Sequence, residues 1–165
     1  MKHVVIKGGF LVSAITKINL RTTMDLDVTI VNYEMDEVHI ASMINEVLEI
    51  HTLDHLSMQL IMIETIRDIS DYPGYRATIA VVFDGIKDHI KIDFTTGDII
   101  TPSAIEVEYE PILGGACIQV MSYNLETLLA EKLETILSRG ILNTRMRDFY
   151  LIVSENSLFK ELSER

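Results

Sequence analysis

The chain has 165 residues, of which 48% are hydrophobic and 24% are charged, which supports one compact α/β-sized domain with a hydrophobic core and leaves no room for two. Its net charge of −11 argues against the non-specific coating of nucleic acid as its main role. It has one cysteine, no apolar run of about 18 residues and no signal-peptide pattern; an internal disulfide, a multi-thiol zinc site and a membrane span are thereby excluded, and a cytoplasmic protein is expected.

The predicted elements begin with a short strand over residues 4–6, which runs into Gly8-Gly9 and a short helix over 10–18. A strand over 24–31 comes next. A helix over 36–50 follows, with apolar residues at helical spacing and Asp36 as its N-cap.

The second half of the chain is richer in strands. Three strands with many β-branched residues are predicted over 57–67, 76–83 and 89–95, and two shorter ones over 104–110 and 117–121. Asn124 then caps a long helix that Gly140 ends, and short helical pieces follow over 145–153 and 158–162. This order predicts an α/β (α+β) fold, a mixed β-sheet flanked by helices with a short helical segment at the C-terminus.

Two acids interrupt the strand over 24–31. Asp25 and Asp27 stand among Leu26, Val28 and other strand formers, and alternate residues of a strand share a face about 7 Å apart. Two carboxylates held so close repel each other unless a cation lies between them. The pattern therefore favours a Mg²⁺ site over a solvated strand edge.

A third acid, Asp93, interrupts the strand over 89–95 and shares a face with Lys91. From a neighbouring strand it would complete the Mg²⁺ site or act as a base toward an attacking hydroxyl. The alternative, a buried Lys91–Asp93 pair on one strand face, is about as well supported by the sequence.

The pair Gly8-Gly9 follows a strand and precedes a helix, where the backbone can approach a phosphate closely. A simple tight turn is the more common meaning of two glycines. The segment is not a P-loop, because no Gly-Lys-Ser/Thr follows.

Basic residues gather near the end of the chain. Lys132 and Arg139 are two helical turns apart, and Lys132 interrupts an apolar stripe; Arg145 and Arg147 follow a short connection. Such a group can bind a triphosphate or one end of an RNA. Solvated charge is the competing interpretation. The histidines form no ligand pattern, and Cys117 is expected to be a small buried residue.

Four segments together resemble a known family: "VIKGGFLVSAI", "LRTTMDLDVTI", "IKIDFTTGDIITP" and "YNLETLLAEKLETILSRGILNTRMRDFY". They are similar to the AbiEii-type nucleotidyltransferases, the toxins of AbiE-type (type IV) toxin–antitoxin systems, in the DNA polymerase β-like nucleotidyltransferase superfamily. The resemblance implies a single nucleotidyltransferase core domain over residues 1–165, trimmed at both flanks relative to its relatives.

The resemblance also implies roles for particular residues. Asp25, Asp27 and Asp93 match the acids that bind Mg²⁺ and catalyse transfer. The residues that match positions binding the nucleoside triphosphate are Gly8, Gly9, Arg21, Lys91, Lys132, Arg139 and Asp148. Lys132 is also expected to act in catalysis. The implied partners are an NTP, an RNA acceptor such as a tRNA end, and an AbiEi-type antitoxin encoded nearby; no membrane is implied.

Two departures from the family are visible. Phe10 stands where many relatives have Ser or Thr, so that the phosphate contact of this hydroxyl is missing or is supplied by Ser13. Leu151 directly follows Tyr150, where relatives carry a second acid and continue into a longer helical region. The competing hypothesis is therefore a non-catalytic remnant that binds a nucleotide or a partner protein.

Overall fold

The structure is a computed structural model, and it describes residues 3–11, 25–50, 55–66, 74–111 and 115–140. Its strands are β1 (Val4–Lys7), β2 (Asp25–Ile30), β3 (Leu56–Ile66), β4 (Gly74–Phe83), β5 (Ile86–Thr96), β6 (Ile105–Tyr109) and β7 (Ile118–Ser122). Its helices are α1 (Glu37–Leu48) and α2 (Leu125–Arg139), and residues 8–11 are helical as well.

The predicted strands are confirmed, with ends that differ by a few residues. Other predictions lie outside the described residues: most of the helix over 10–18, the helical pieces over 145–153 and 158–162, and the site residues Arg21 and Asp148.

The seven described strands form one mixed sheet in the order β3-β4-β5-β2-β1-β7-β6. β2 lies next to β5 in parallel orientation and next to β1 in antiparallel orientation. The turn at Asp84-Gly85 joins β4 and β5 as a hairpin, and both of its residues have positive φ. The sheet belongs to one compact unit, Met1–Ile99 with Ala104–Tyr123.

One face of this sheet carries the core, and helix α1 packs against it. The side chain of Asp36 caps α1 by accepting from the backbone N–H of His39 at 2.7 Å, as predicted. Side chains from α1, β2, β4 and β5 are buried together, namely Val28, Ile30, Ile40, Ile44, Ala77, Ile79 and Phe94. Because strand residues alternate between faces, the neighbours of Val28 and Phe94 lie on the opposite face.

The second unit comprises Ile100–Ser103 and Asn124–Arg165. Asn124 caps α2 by accepting from the N–H of Thr127 at 2.8 Å, while its amide donates to the carbonyls of Thr101 and Ser103. The predicted apolar stripe of α2 is buried at Leu128, but Leu137 is 77% exposed.

The expectation that Cys117 is buried is wrong, because the structure exposes it. Residues 115–117 form neither strand nor helix before β7 begins, so the thiol lies outside the regular part of the sheet. A hydrogen bond to the carboxylate of Glu108 raises the pKa of this thiol, since the thiolate would lie beside a negative charge.

Candidate active site

The face of the sheet opposite α1 carries a row of charged residues, one from each of five neighbouring strands. In register, Glu64 lies opposite Arg76, Arg76 opposite Asp93, Asp93 opposite Asp27, and Asp27 opposite Lys7. Side chains that are directly opposite each other in a sheet share a face. We call these five residues the charged row.

Asp25 and Lys91 form a second pair in register, two residues before Asp27 and Asp93 on the same face. Asp25 is partly exposed and Lys91 is exposed. The predicted arrangement of Asp25, Asp27 and Asp93 on one face of adjacent strands therefore agrees with the observed register. Their roles as metal ligands and catalytic groups remain predictions.

Arg76 is a site residue that the sequence interpretation missed. Its Nε donates to Oδ1 of Asp93 at 2.7 Å and its Nη2 donates to Oδ2 at 2.7 Å, so both carboxylate oxygens are engaged. The hydrogen bonds to Asp93 raise the pKa of the guanidinium. Asp93 therefore pairs with Arg76 from β4, whereas Lys91, the partner considered from the sequence, is exposed.

Gly8 lies against the carboxylate of Asp27. A Cβ atom added to Gly8 would overlap this carboxylate, since Cγ and Cβ of Asp27 are 2.7 and 2.9 Å from its position. Gly8 also has φ +68°, a conformation that residues with a side chain rarely adopt. Position 8 is thus restricted to glycine by the adjacent carboxylate of Asp27 and by its own backbone conformation. Neither reason involves a bound phosphate.

Lys7, at one end of the charged row, is almost buried. Its Nζ donates to Oδ2 of Asp98 at 2.7 Å and lies 5.7 Å from the ring centroid of Tyr123. The hydroxyl of Thr95 donates to the same oxygen of Asp98 at 2.8 Å. Burial raises the pKa of Asp98, but the ion pair with Lys7 and the hydroxyl bonds outweigh it, so that the pKa is lowered overall.

Replacing Asp98 with Asn is therefore expected to destabilise the protein in a pH-dependent way. Because the pKa of Asp98 is lowered in the folded state, the stability it contributes is fully present above its ordinary pKa of 3.8 and is lost as the pH falls through the folded value. Urea unfolding of the parent and of Asp98→Asn between pH 7 and pH 3 should show a difference that shrinks toward pH 3. Glu106→Gln, at an exposed strand position, is the control. A difference that stays constant with pH would refute the assignment.

Two predicted phosphate-binding residues belong to α2 in the second unit. The Nζ of Lys132 lies 3.8 Å from Oε1 of Glu131, and the side chain of Lys132 is 14% exposed. Arg139 is the last residue of α2. Contact of either residue with the triphosphate remains a prediction.

The departure at Phe10 has a structural counterpart. Its ring packs against that of Tyr109 at 5.0 Å between centroids. The side chain that replaces a hydroxyl thus makes an aromatic contact within the protein. Ser13, the proposed substitute, lies outside the described residues.

The grouping of the acids decides how they could hold Mg²⁺. Within the described ranges, no three His, Cys, Asp or Glu side chains are grouped so that they could hold a metal ion by themselves. Mg²⁺ commonly takes one or two carboxylates and completes its shell with substrate phosphates and water. Asp25 and Asp27, on one strand face, fit that mode, whereas both oxygens of Asp93 already accept from Arg76.

A mixed sheet with a helix on one face and two strand acids on the other, beside a strand–glycine–helix turn, is consistent with a nucleotidyltransferase-like fold. The family model "Nucleotidyl transferase AbiEii toxin, Type IV TA system" matches residues 1–150. The chain therefore belongs to the AbiEii family, and the resemblance inferred from the sequence is confirmed.

Other comparisons give the fold and its extent. The chain is similar to the crystal structure of JHP933 from Helicobacter pylori, with a TM-score of 0.54 and 15% sequence identity, over 88% of this chain and 54% of that chain. It thus spans about half the length of JHP933, and at this identity the likeness shows the fold alone. A comparison with curated proteins gave no sequence match. In the part that the structure describes, no helix is long and apolar enough to cross a membrane.

Proposed function

We propose that the protein is a Mg²⁺-dependent nucleotidyltransferase that moves a nucleotidyl group from a nucleoside triphosphate to a hydroxyl of RNA, with the end of a tRNA as the leading candidate acceptor. It would act as a toxin in the cytoplasm. The observation that carries the proposal is the pair Asp25 and Asp27 on one face of β2, with Asp93 directly opposite Asp27. Membership of the AbiEii family supports the same reaction class.

In this proposal Asp25 and Asp27 would hold Mg²⁺. The bound ion would supply positive charge for the leaving pyrophosphate. The backbone at Gly8 and Gly9 lies close to the phosphates. The cationic groups of Arg21, Lys91, Lys132 and Arg139 neutralise the remaining phosphate charge, and Asp148 completes the nucleotide site.

Asp93 has a different role from the other two acids. A carboxylate has about four lone-pair positions, and the two hydrogen bonds from Arg76 use two of them. Asp93 therefore retains acceptor capacity for the hydroxyl of the incoming acceptor. Of the two roles considered from the sequence, metal ligand and base, we assign Asp93 the second, because the guanidinium of Arg76 already supplies the positive charge that a metal would supply to this carboxylate.

An antitoxin of the AbiEi type is the partner that the family implies. Co-expression with such a protein encoded nearby would relieve growth arrest if the chain is the toxin of the pair.

The alternative is a non-catalytic protein that binds a nucleotide or a partner. One observation favours it: Phe10 packs on Tyr109 in place of a phosphate-binding hydroxyl. This protein would be stabilised by a nucleotide without transferring it.

The deciding experiment incubates the protein with each radiolabelled NTP, Mg²⁺ and total RNA, and follows label in RNA on a denaturing gel. Labelled RNA that disappears with EDTA and with Asp27→Asn supports transfer. A thermal shift with Mg²⁺ and NTP but no labelled RNA would support the alternative. Absence of both label and shift would contradict both functions.

A further inference from the structure

Arg76 is the cation in closest contact with an acid of the candidate site. Its side chain is 32% exposed and that of Asp93 is 18% exposed, so the pair is shielded from much of the solvent. The carboxylates of Asp25 and Glu64 also attract the guanidinium. The other cation of the charged row, Lys7, is buried and is engaged by Asp98. Arg76 is thus the group that compensates Asp93.

We propose that Arg76 is a positioning residue, which neutralises and orients Asp93 so that this carboxylate serves as a hydrogen-bond acceptor and not as a ligand of the divalent cation assigned to Asp25 and Asp27. This inference rests on the proposed function, because it concerns the metal of that reaction. A fork of two hydrogen bonds fixes a carboxylate in both position and rotation, which a lysine at the same place does not do. Asp93 is then held as a hydrogen-bond acceptor beside the metal site.

The number of acids that bind the metal would then depend on Arg76. Without the guanidinium, the negative charge of Asp93 has no positive partner from β4. Asp93 then lies directly opposite Asp27, and Asp25 lies two residues before Asp27 on the same face. Three acids on one face repel each other, and a divalent cation relieves that repulsion. Arg76→Gln should therefore be destabilised in EDTA and should bind Mg²⁺ more tightly than the parent.

The test is a set of thermal melts of the full chain in EDTA and across a Mg²⁺ titration, with and without a nucleoside triphosphate. In EDTA, Arg76→Gln should melt at least about 3 °C below the parent. We call the Mg²⁺ concentration that gives half of the rise in melting temperature the Mg²⁺ midpoint. The Mg²⁺ midpoint of Arg76→Gln should be several-fold lower than that of the parent. The double variant Arg76→Gln/Asp93→Asn loses one charge of each sign, so it should keep the parent's midpoint and should be more stable in EDTA than Arg76→Gln. Asp93→Asn leaves Arg76 uncompensated and should therefore have a higher midpoint than the parent.

Two further variants separate charge from geometry. Lys87→Gln removes one positive charge from an exposed position of β5 and should leave the midpoint unchanged. Arg76→Lys keeps the charge but loses the fork, so that it should keep the parent's Mg²⁺ midpoint while lowering the rate of transfer. It also provides a folded variant at position 76 if Arg76→Gln does not fold.

The outcomes distinguish this proposal from the proposed function. A Mg²⁺ midpoint that is unchanged in Arg76→Gln while the parent responds to Mg²⁺ would overturn the role of Arg76 and leave the function standing. A loss of the Mg²⁺ response in the double variant Arg76→Gln/Asp93→Asn would also overturn it, because Asp93 would then be a metal ligand. If Mg²⁺ raises the melting temperature of Arg76→Gln but not that of the parent, the role of Arg76 is supported and the proposed function is contradicted. If no variant responds, both fail.

Discussion

Gly8→Ala is expected to destabilise the protein and to abolish its stabilisation by Mg²⁺ and a nucleoside triphosphate. The new Cβ would overlap the carboxylate of Asp27, which has to move, and the residue would keep a φ of +68°. The positive φ costs about 1–2 kcal/mol, and the overlap adds about 1–3 kcal/mol. Thermal melts with and without the two ligands measure both effects.

Gly85→Ala is the matched control for this variant. Gly85 has φ +83° in the β4–β5 turn, but a Cβ there would meet nothing within 4 Å. The control therefore carries the backbone cost without the overlap and should keep its ligand response. If Gly8→Ala and Gly85→Ala lose the same stability and both respond to the ligands, the contact between Gly8 and Asp27 is not needed for ligand binding.

Asp25→Asn and Asp27→Asn are each expected to reduce nucleotidyl transfer by at least about 100-fold, because each removes one of two proposed metal ligands. Binding of the nucleotide should no longer depend on Mg²⁺. In EDTA, Asp25→Asn should be as stable as the parent or slightly more stable, since the substitution relieves the repulsion between the two acids. Transfer assays and thermal melts over a Mg²⁺ titration measure these effects.

Asp88→Asn is the control for the loss of one negative charge, because Asp88 is exposed on β5. It should retain transfer and the Mg²⁺ response. Retention of the full Mg²⁺ response in both Asp25→Asn and Asp27→Asn would show that the acids of β2 do not bind the metal.

The strands and the acids of the site were predictable because they depend on local patterns. Alternation in β2 separates Asp25 and Asp27 from Val28 and its apolar neighbours, and Asp36 is a common N-cap residue. The shared face of Asp25 and Asp27 follows from a period of two residues. These features need no knowledge of which strands become neighbours.

The contacts between strands were not predictable in the same way. Arg76 meets Asp93 because β4 and β5 form a hairpin with the Asp84-Gly85 turn, and the register of that hairpin decides which side chains face each other. The sequence offered a signal, since both residues stand at polar positions of strands joined by this turn. Asp98 lies 91 residues from Lys7 along the chain, and no local pattern links the two.

The register that brings the charged row together also makes sheets with a shifted register less stable. If β5 slipped by one residue against β2, Asp93 would move to the face that α1 covers, and Phe94 would turn outward. A charged group would then enter the apolar core, which is costly. Misregistered pairings of these two strands are therefore poor competitors during folding, and the charged row contributes to the uniqueness of the native sheet.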